Sequence, residues 1–347
     1  MSRKTLTLAL AAALVASAGC AIDLPDPRLI IDTRVLAIKT TVTTPLPGVD
    51  DPDAQTPRAQ ALPFEVVEIE PFLVGPDGPI GPDAVDPVWI ACDLGPSEGL
   101  FACLEGALPT TLDDIPQCPV PSFEDLMGEE LPEPPSPCLI GRTGIPEYTV
   151  PFSSNLFVGG SVELTMIAGP VGGTSTDTCA EQLLADEYEL PDDCLFAVQR
   201  LSLGPIEQLL ALAAQFGVEI EGFEIPEPET IPDGDRHVRI SQVAYSVLGE
   251  DGEPIGDPVP IETGDQVPIT IGETMRIDVS TPEEDLQSYQ IPVNNGESFD
   301  TREETIGGDW FLTWGQLLAG TNDDPDSYNE WIFEQGEQDE LEMPEDS

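Results

Sequence analysis

The first apolar stretch runs from Leu6 to Ala18, with Thr7 and Ser17 as its polar residues. It follows Arg3 and Lys4 and leads into Ala16-Ser17-Ala18-Gly19-Cys20. A membrane-spanning helix needs about 20 apolar residues, so this stretch is too short for one. Its charged start and small-residue end predict an export signal over residues 1–19. Beyond Cys20 the pattern becomes a series of short runs. Residues 20–28 have no periodicity and predict a tether. Leu29 to Thr44 is dominated by β-branched residues and predicts a strand. Phe64 to Val74 predicts a second, closed by the turn Gly75-Pro76-Asp77-Gly78. Further strands are expected at Val88 to Cys92, Tyr148 to Phe152 and Ser161 to Ala168, where Val162, Leu164 and Met166 alternate with other residues. Helical signals are few. One short helix is expected after Ser122, with Asp125 as a capping signal, and another around Ala180 to Tyr188. A third, Pro205 to Gly217, has proline at its start, Glu207 in its first turn, glycine at its end, and Leu209, Leu210, Ala213 and Phe216 on one face. Residues 221–235 are acidic and Pro-rich and predict a linker. A new β region follows, with strands expected at Arg236–Leu248, Met275–Val279, Ser288–Pro292, Glu304–Trp314 and Tyr328–Phe333. From Glu334 the chain carries seven acids and no base, the composition of a disordered tail over 334–347.

Short strands, many turns and few helices predict an all-β protein with two Ig-like β-sandwich domains. The first spans 29–220 and carries a disulfide-rich insertion at about 93–144 and a helical excursion at about 172–217. The second spans 236–333. Composition supports this class: 37 prolines and 31 glycines argue against a helical bundle, and 40% hydrophobic residues suffice for real cores.

Charge narrows the partners. The chain has 66 acidic against 12 basic residues, a net charge of −54, and loss of the signal would leave Lys39 as the sole lysine. Such a surface repels nucleic acid and anionic lipid, so no nucleic-acid partner is expected. Adaptation to saline surroundings explains the bias along the whole chain, since salt at 1 M shortens the Debye length to about 3 Å. Ca²⁺ binding would explain only local clusters, Asp50-Asp51-Pro52-Asp53 and Asn322-Asp323-Asp324-Pro325-Asp326. Neither has the Asp-x-Asp-x-Asp-Gly spacing that wraps a backbone round Ca²⁺. No cofactor is expected, and Asp323, Asp324 and Asp326 are weak metal candidates only.

Cysteine usage agrees with export. Cys20 sits where a bacterial lipoprotein signal places the cysteine that receives a diacylglycerol, although Ser17 stands where leucine is usual. No aspartate follows it directly, so outer-membrane placement is expected over inner-membrane retention, with the leaflet, periplasmic or surface-exposed, left open. The other six, Cys92, Cys103, Cys118, Cys138, Cys179 and Cys194, are an even number in an oxidising compartment and predict three disulfides. Their connectivity stays open, because six cysteines allow 15 pairings.

Several residues support a resemblance. The tether leads into Arg34-Val35-Leu36-Ala37-Ile38-Lys39, and Trp89-Ile90-Ala91-Cys92 then precedes a variable Cys-rich segment. This resembles a group of predicted surface lipoproteins from myxobacteria and their relatives, in which such a strand opens an Ig-like domain. Trp310-Phe311-Leu312-Thr313-Trp314-Gly315, followed by Asn329-Glu330-Trp331, is similar to the group's S-W-F-x-T-x-G … N-x-W pattern, with Asp309 in place of serine. The group usually continues with another hydrophobic strand pair, whereas an acidic tail follows here. The resemblance therefore implies a second domain that is incomplete or uses a partner strand. The group has no established activity to carry over.

Catalytic constellations are absent from the sequence. His237 is the single histidine, and its place beside a strand predicts a solvated edge residue. No serine or cysteine triad forms without it. No phosphate-binding Gly-Lys loop or dinucleotide fingerprint occurs. A carboxylate pair for hydrolysis is uninformative where acids are so abundant. Trp89, Trp310, Trp314 and Trp331 are expected to anchor cores. The expected function is thus a non-catalytic, lipid-anchored envelope protein, attached to the membrane through its N-terminal lipid and serving a structural or binding role toward a protein or glycan. The alternatives are a carboxylate-based surface hydrolase and a Ca²⁺-dependent adhesion module.

Overall fold

The computed structural model describes residues 28–46, 56–95, 98–99, 101–103, 111–121, 133–157, 160–184, 191–205, 208–209, 211, 235–293, 298–322 and 326–333. The described residues are mostly β-sheet. In the first region the strands are β1 (Arg34–Thr44), β2 (Val66–Gly75), β3 (Gly78–Ile80), β4 (Val85–Leu94), β5 (Cys138–Gly141), β6 (Glu147–Thr149), β7 (Ser161–Pro170) and β8 (Leu195–Leu201). Two short helices join them, α1 (Ser154–Phe157) and α2 (Thr176–Leu183).

All strand pairs in this region are antiparallel and form two four-stranded sheets. In one, β2 pairs along its length with β1 and shares its other edge between β3 and β6. The other has the order β5-β4-β7-β8. Burial follows strand alternation. Ile38, Thr40 and Val42 on β1, and Val67, Ile69 and Pro71 on β2, are buried while their neighbours are not, and from Leu73 to Gly75 β2 is buried without a break. Ile38, Val42, Val67, Ile69 and Leu73 join Trp89, Ala91, Val162, Leu164, Met166 and Leu201 from the other sheet in one core.

The β4–β7 sheet is covered on both faces. Residues 162–169 of β7 are buried without interruption. Val88, Ile90, Cys92 and Ile167 turn away from the main core and meet Leu112, Ile115, Ala180 and Leu183 in a second one. A strand with both faces covered loses the polar alternation of a half-exposed strand. The outer cover consists of α2 and the loop round Leu112, fastened by Cys92–Cys103 and Cys179–Cys194. Cys118–Cys138 ties the same loop to β5. Helix α2 starts where Ser175 Oγ accepts a hydrogen bond from the Thr178 amide at 3.2 Å.

The second region contains β9 (Gln242–Val247), β10 (Val259–Pro260), β11 (Thr274–Ser280), β12 (Ser288–Val293), β13 (Ser298–Glu303), β14 (Gly308–Asp309), β15 (Gln316–Leu317), β16 (Thr321–Asn322) and β17 (Asp326–Ile332). One sheet runs β10-β9-β11-β17-β15. β12–β13 and β14–β16 are separate pairs. Among the described residues of this region, the fully buried apolar side chains are Ala244, Met275 and Phe333. Val243, Tyr245, Val247, Ile277 and Val279, which share one face of the sheet, are only half-buried.

A seam joins the two regions. The Ala59 amide donates to the Asp235 carbonyl at 2.8 Å, and the His237 amide donates to the Pro57 carbonyl at 3.1 Å. Arg58, fully buried, donates through Nη2 to Glu65 Oε1 at 2.5 Å. Glu65 also accepts from the backbone amides of Leu46 and Leu62. A buried ion pair survives only with such additional hydrogen bonds. Near the chain start, the Ile30 amide donates to the Leu312 carbonyl at 2.7 Å, so the described N-terminal residues lie against the second region.

Several elements depart from expectation. Leu195–Leu201, expected within a helical excursion, is strand β8. It packs on β7 through Val162↔Leu201 and lacks clear alternation because it is a mixed edge strand. Helix α2 begins four residues before its expected start. Ser298–Glu303 is a strand outside the expected set, whereas Glu304–Trp314, expected as a strand, contains only the two-residue β14. Its aromatic residues pack in an irregular segment. The expected helix after Ser122 and most of Pro205–Gly217 lie outside the described residues, as do the signal, most of the tether, the linker apart from Asp235, and the acidic tail.

Candidate binding groove

Strands β9 and β11 pair with Ser246 opposite Arg276, Ala244 opposite Asp278 and Gln242 opposite Ser280. Directly opposed residues of an antiparallel pair point to the same face. One face of this sheet is therefore polar, and the other carries Val243, Tyr245, Val247, Met275, Ile277 and Val279. The turn after β9 folds over the polar face. The Gly249 amide donates to the Glu253 carbonyl, the Ile255 amide donates to the Val247 carbonyl, and Gly252 holds φ at 80°, a conformation suited to glycine. The result is a groove of about 420 Å³ bounded by the β9–β11 face, Glu253, Pro254 and Pro258. That lies within the range of about 300–1,000 Å³ of small-ligand sites.

Arg276 is fixed within the groove. Its Nε and Nη2 donate to Asp278 Oδ1 at 2.8 and 2.7 Å, and its guanidinium lies 4.0 Å from the centre of the Tyr328 ring. The hydrogen bonds to Asp278 raise its already high pKa further. The arrangement is rigid because ion pair and ring hold the same guanidinium.

A second polar cluster lies at the end of β4. The Asp93 carboxylate accepts from Ser153 Oγ and from Asn155 Nδ2, and burial raises its pKa. Burial also raises the pKa of the neighbouring Tyr148 phenol. The adjoining cavity is about 10 Å³, the space of a single water, so this cluster ties β4 to α1 and admits no substrate.

The predicted site residues fall as follows. Cys20, Asp323 and Asp324 lie outside the described residues. Asp326 is exposed at the start of β17. The six remaining cysteines pair as neighbours in sequence, settling a connectivity the sequence left open. No group of three or more metal-binding side chains occurs among the described residues. His237 is not a solvated edge residue. It sits half-buried in the seam, its Nε2 2.9 Å from the Thr40 carbonyl and 3.1 Å from Thr41 Oγ1, and burial lowers its pKa.

Of the four tryptophans, Trp89 is fully buried and donates to the Thr143 carbonyl at 3.0 Å. Trp331, half-buried, donates to the Trp314 carbonyl at 2.8 Å. Gly315 is required beside it, since an added Cβ would lie 2.5 Å from Trp331 Nε1. Asn329 holds Ala319 through both its amide oxygen and its amide nitrogen. The conspicuous Trp-Gly and Asn-x-Trp residues thus build one structural clasp.

The groove residues escaped the sequence reading. Gln242, Ser246, Arg276, Asp278 and Ser280 alternate with apolar residues, the usual pattern of a solvated face. Only the folded turn at 249–258 makes a groove of them. No family model, no curated protein and no solved structure matches this chain.

Proposed function

We propose that this protein is a non-catalytic, lipid-anchored component of the bacterial cell envelope that binds a partner through the groove on its second region. The observation that carries the reading is the preformed groove with the clamped Arg276–Asp278 pair, set on a region joined by backbone hydrogen bonds to a disulfide-fastened platform. The lipid-signal arrangement ending at Cys20 supports attachment to the membrane. Three acyl chains anchor stably, since each buried CH₂ contributes about 0.8 kcal/mol.

The test has two arms. Cys20→Ala is expected to move the protein from the membrane fraction to the soluble fraction, and unchanged retention contradicts anchoring. Labelled mature protein is expected to bind isolated cell envelopes saturably. Gln242→Trp, a substitution at the exposed groove rim, is expected to remove that binding. Saturable binding insensitive to Gln242→Trp contradicts the groove as the binding surface.

A further inference from the structure

The groove contains a polar atom with nothing to bond. Ser246 is 3% exposed, and among the described residues its hydroxyl has no hydrogen-bond partner. Burying an unpaired hydroxyl costs about 1–3 kcal/mol. A ligand that reaches the hydroxyl removes that cost.

The surrounding groups define what such a ligand must offer. The Arg276–Asp278 pair uses Nε, Nη2 and a single carboxylate oxygen, which leaves Nη1 as a donor and Oδ2 as an acceptor. Gln242 adds an amide with both functions, Ser246 and Ser280 add hydroxyls, and Glu253 adds an acceptor at the rim. Donors and acceptors therefore alternate over a short distance. Asp278 neutralises Arg276, while Glu253 at the rim and Glu330 and Asp326, which stand opposite Arg276 and Ser280 on β17, leave a surplus of carboxylate on this face. An anion would meet that surplus carboxylate and the acidic chain around it. A cation would lie against Arg276. An extended peptide gains most of its affinity from backbone bonds at a sheet edge, and this groove lies on a sheet face.

Resting on the reading of the groove as the binding surface, we infer that its ligand is an uncharged polyhydroxyl chain, a neutral oligosaccharide whose hydroxyls bridge Ser246, Asp278 and Arg276. Each sugar hydroxyl both donates and accepts, which suits the mixed lining. Pro254 and Pro258 supply apolar contact for the sugar carbons.

The experiment is titration calorimetry of the mature full chain. The probes are pentamers of β-1,4-linked glucose, α-1,4-linked glucose and β-1,4-linked N-acetylglucosamine, with an oligogalacturonate and a Pro-rich decapeptide for comparison. At least one neutral pentamer is expected to bind. Ser246→Ala is expected to weaken it about three- to tenfold, and Asp278→Asn about tenfold or more. Ser246→Ala also distinguishes binding from structure: removing an unpaired buried hydroxyl should leave Tm unchanged or raised while affinity falls. Loss of Tm together with affinity would mean a structural role and overturn the inference. Binding of the anionic oligomer or the peptide alone, sensitive to Ser246→Ala, overturns the ligand class. If no neutral pentamer binds while envelope binding remains sensitive to Gln242→Trp, the ligand class falls and the groove stands. If envelope binding ignores Gln242→Trp, the groove reading itself falls.

Discussion

The two regions of this molecule solve the same problem with unequal resources. In the first, one sheet is buried on both faces, two apolar cores flank it, and three disulfides fasten the cover. In the second, a single five-stranded sheet buries few apolar side chains fully and leaves Val259, Ile271, Leu318 and Tyr328 exposed. Its order comes from directed polar contacts, including the Asn329 clasp and the Trp331–Trp314 hydrogen bond. Apolar burial dominates stability but does not select a ligand; polar groups set in a groove do. Under the proposed function, the first region would serve as support and the second as the recognition surface.

The largest expected effect strikes the first region. Trp89→Ala should cost about 3–5 kcal/mol, because it empties the centre of a packed core. Ile277→Ala, on the half-buried face of the second region, should cost only about 1 kcal/mol. Chemical denaturation measures both, and equal losses would break the contrast. Next in size is the paired change Cys179→Ser with Cys194→Ser, which opens a loop with a sequence separation of 15 residues. A loss of about 3 kcal/mol is expected. The loss should be confined to the first region, with amide exchange of β9 and β11 unchanged.

A smaller effect belongs to the seam. Glu304 lies beside Asp235, and burial together with that neighbouring carboxylate pushes its pKa up to about 7. The folded state therefore holds this proton more tightly than the unfolded chain does. The stabilisation is complete below the ordinary carboxylate range and is lost as pH rises through about 7. Glu304→Gln keeps a donor toward Asp235 at every pH, so the variant should show a shallower fall of Tm than the wild type between pH 4.5 and 7. His237 acts in the opposite sense. Its lowered pKa gives stability above its ordinary value of about 6.5 that is lost as pH falls. It is common to both proteins, so the difference between them isolates Glu304. Identical slopes would remove the carboxyl pair from the account of the seam.

Much of the β architecture was legible in the chain. β-Branched runs marked β1 and β2, the Val162-Leu164-Met166 alternation marked β7, and the turn-bounded runs in the second region marked β11, β12 and β17. These positions are governed by local pattern and by which face is buried. β8 was not legible, because Leu195–Leu201 owes its strand to pairing with β7 and carries no clean period. Glu304–Trp314 misled in the other direction, since its aromatic residues pack without a ladder. The seam was invisible for the same reason: His237 meets Thr40 and Thr41 nearly 200 positions away in sequence. The disulfide count followed from parity, and the pairing required the fold. Of the candidate site only the alternation could be read. A buried hydroxyl without a partner is a property of three dimensions.

Amide hydrogen exchange on the mature full-length protein, alone and with the three neutral pentamers, tests the division of labour most directly. The slowest exchange is expected in β4 and β7, with faster exchange in β9 and β11 and added protection confined to β9, β11 and residues 249–258 when a pentamer binds. Equal protection of the two sheets without ligand, or ligand protection appearing in β4 and β7 instead, would contradict that division.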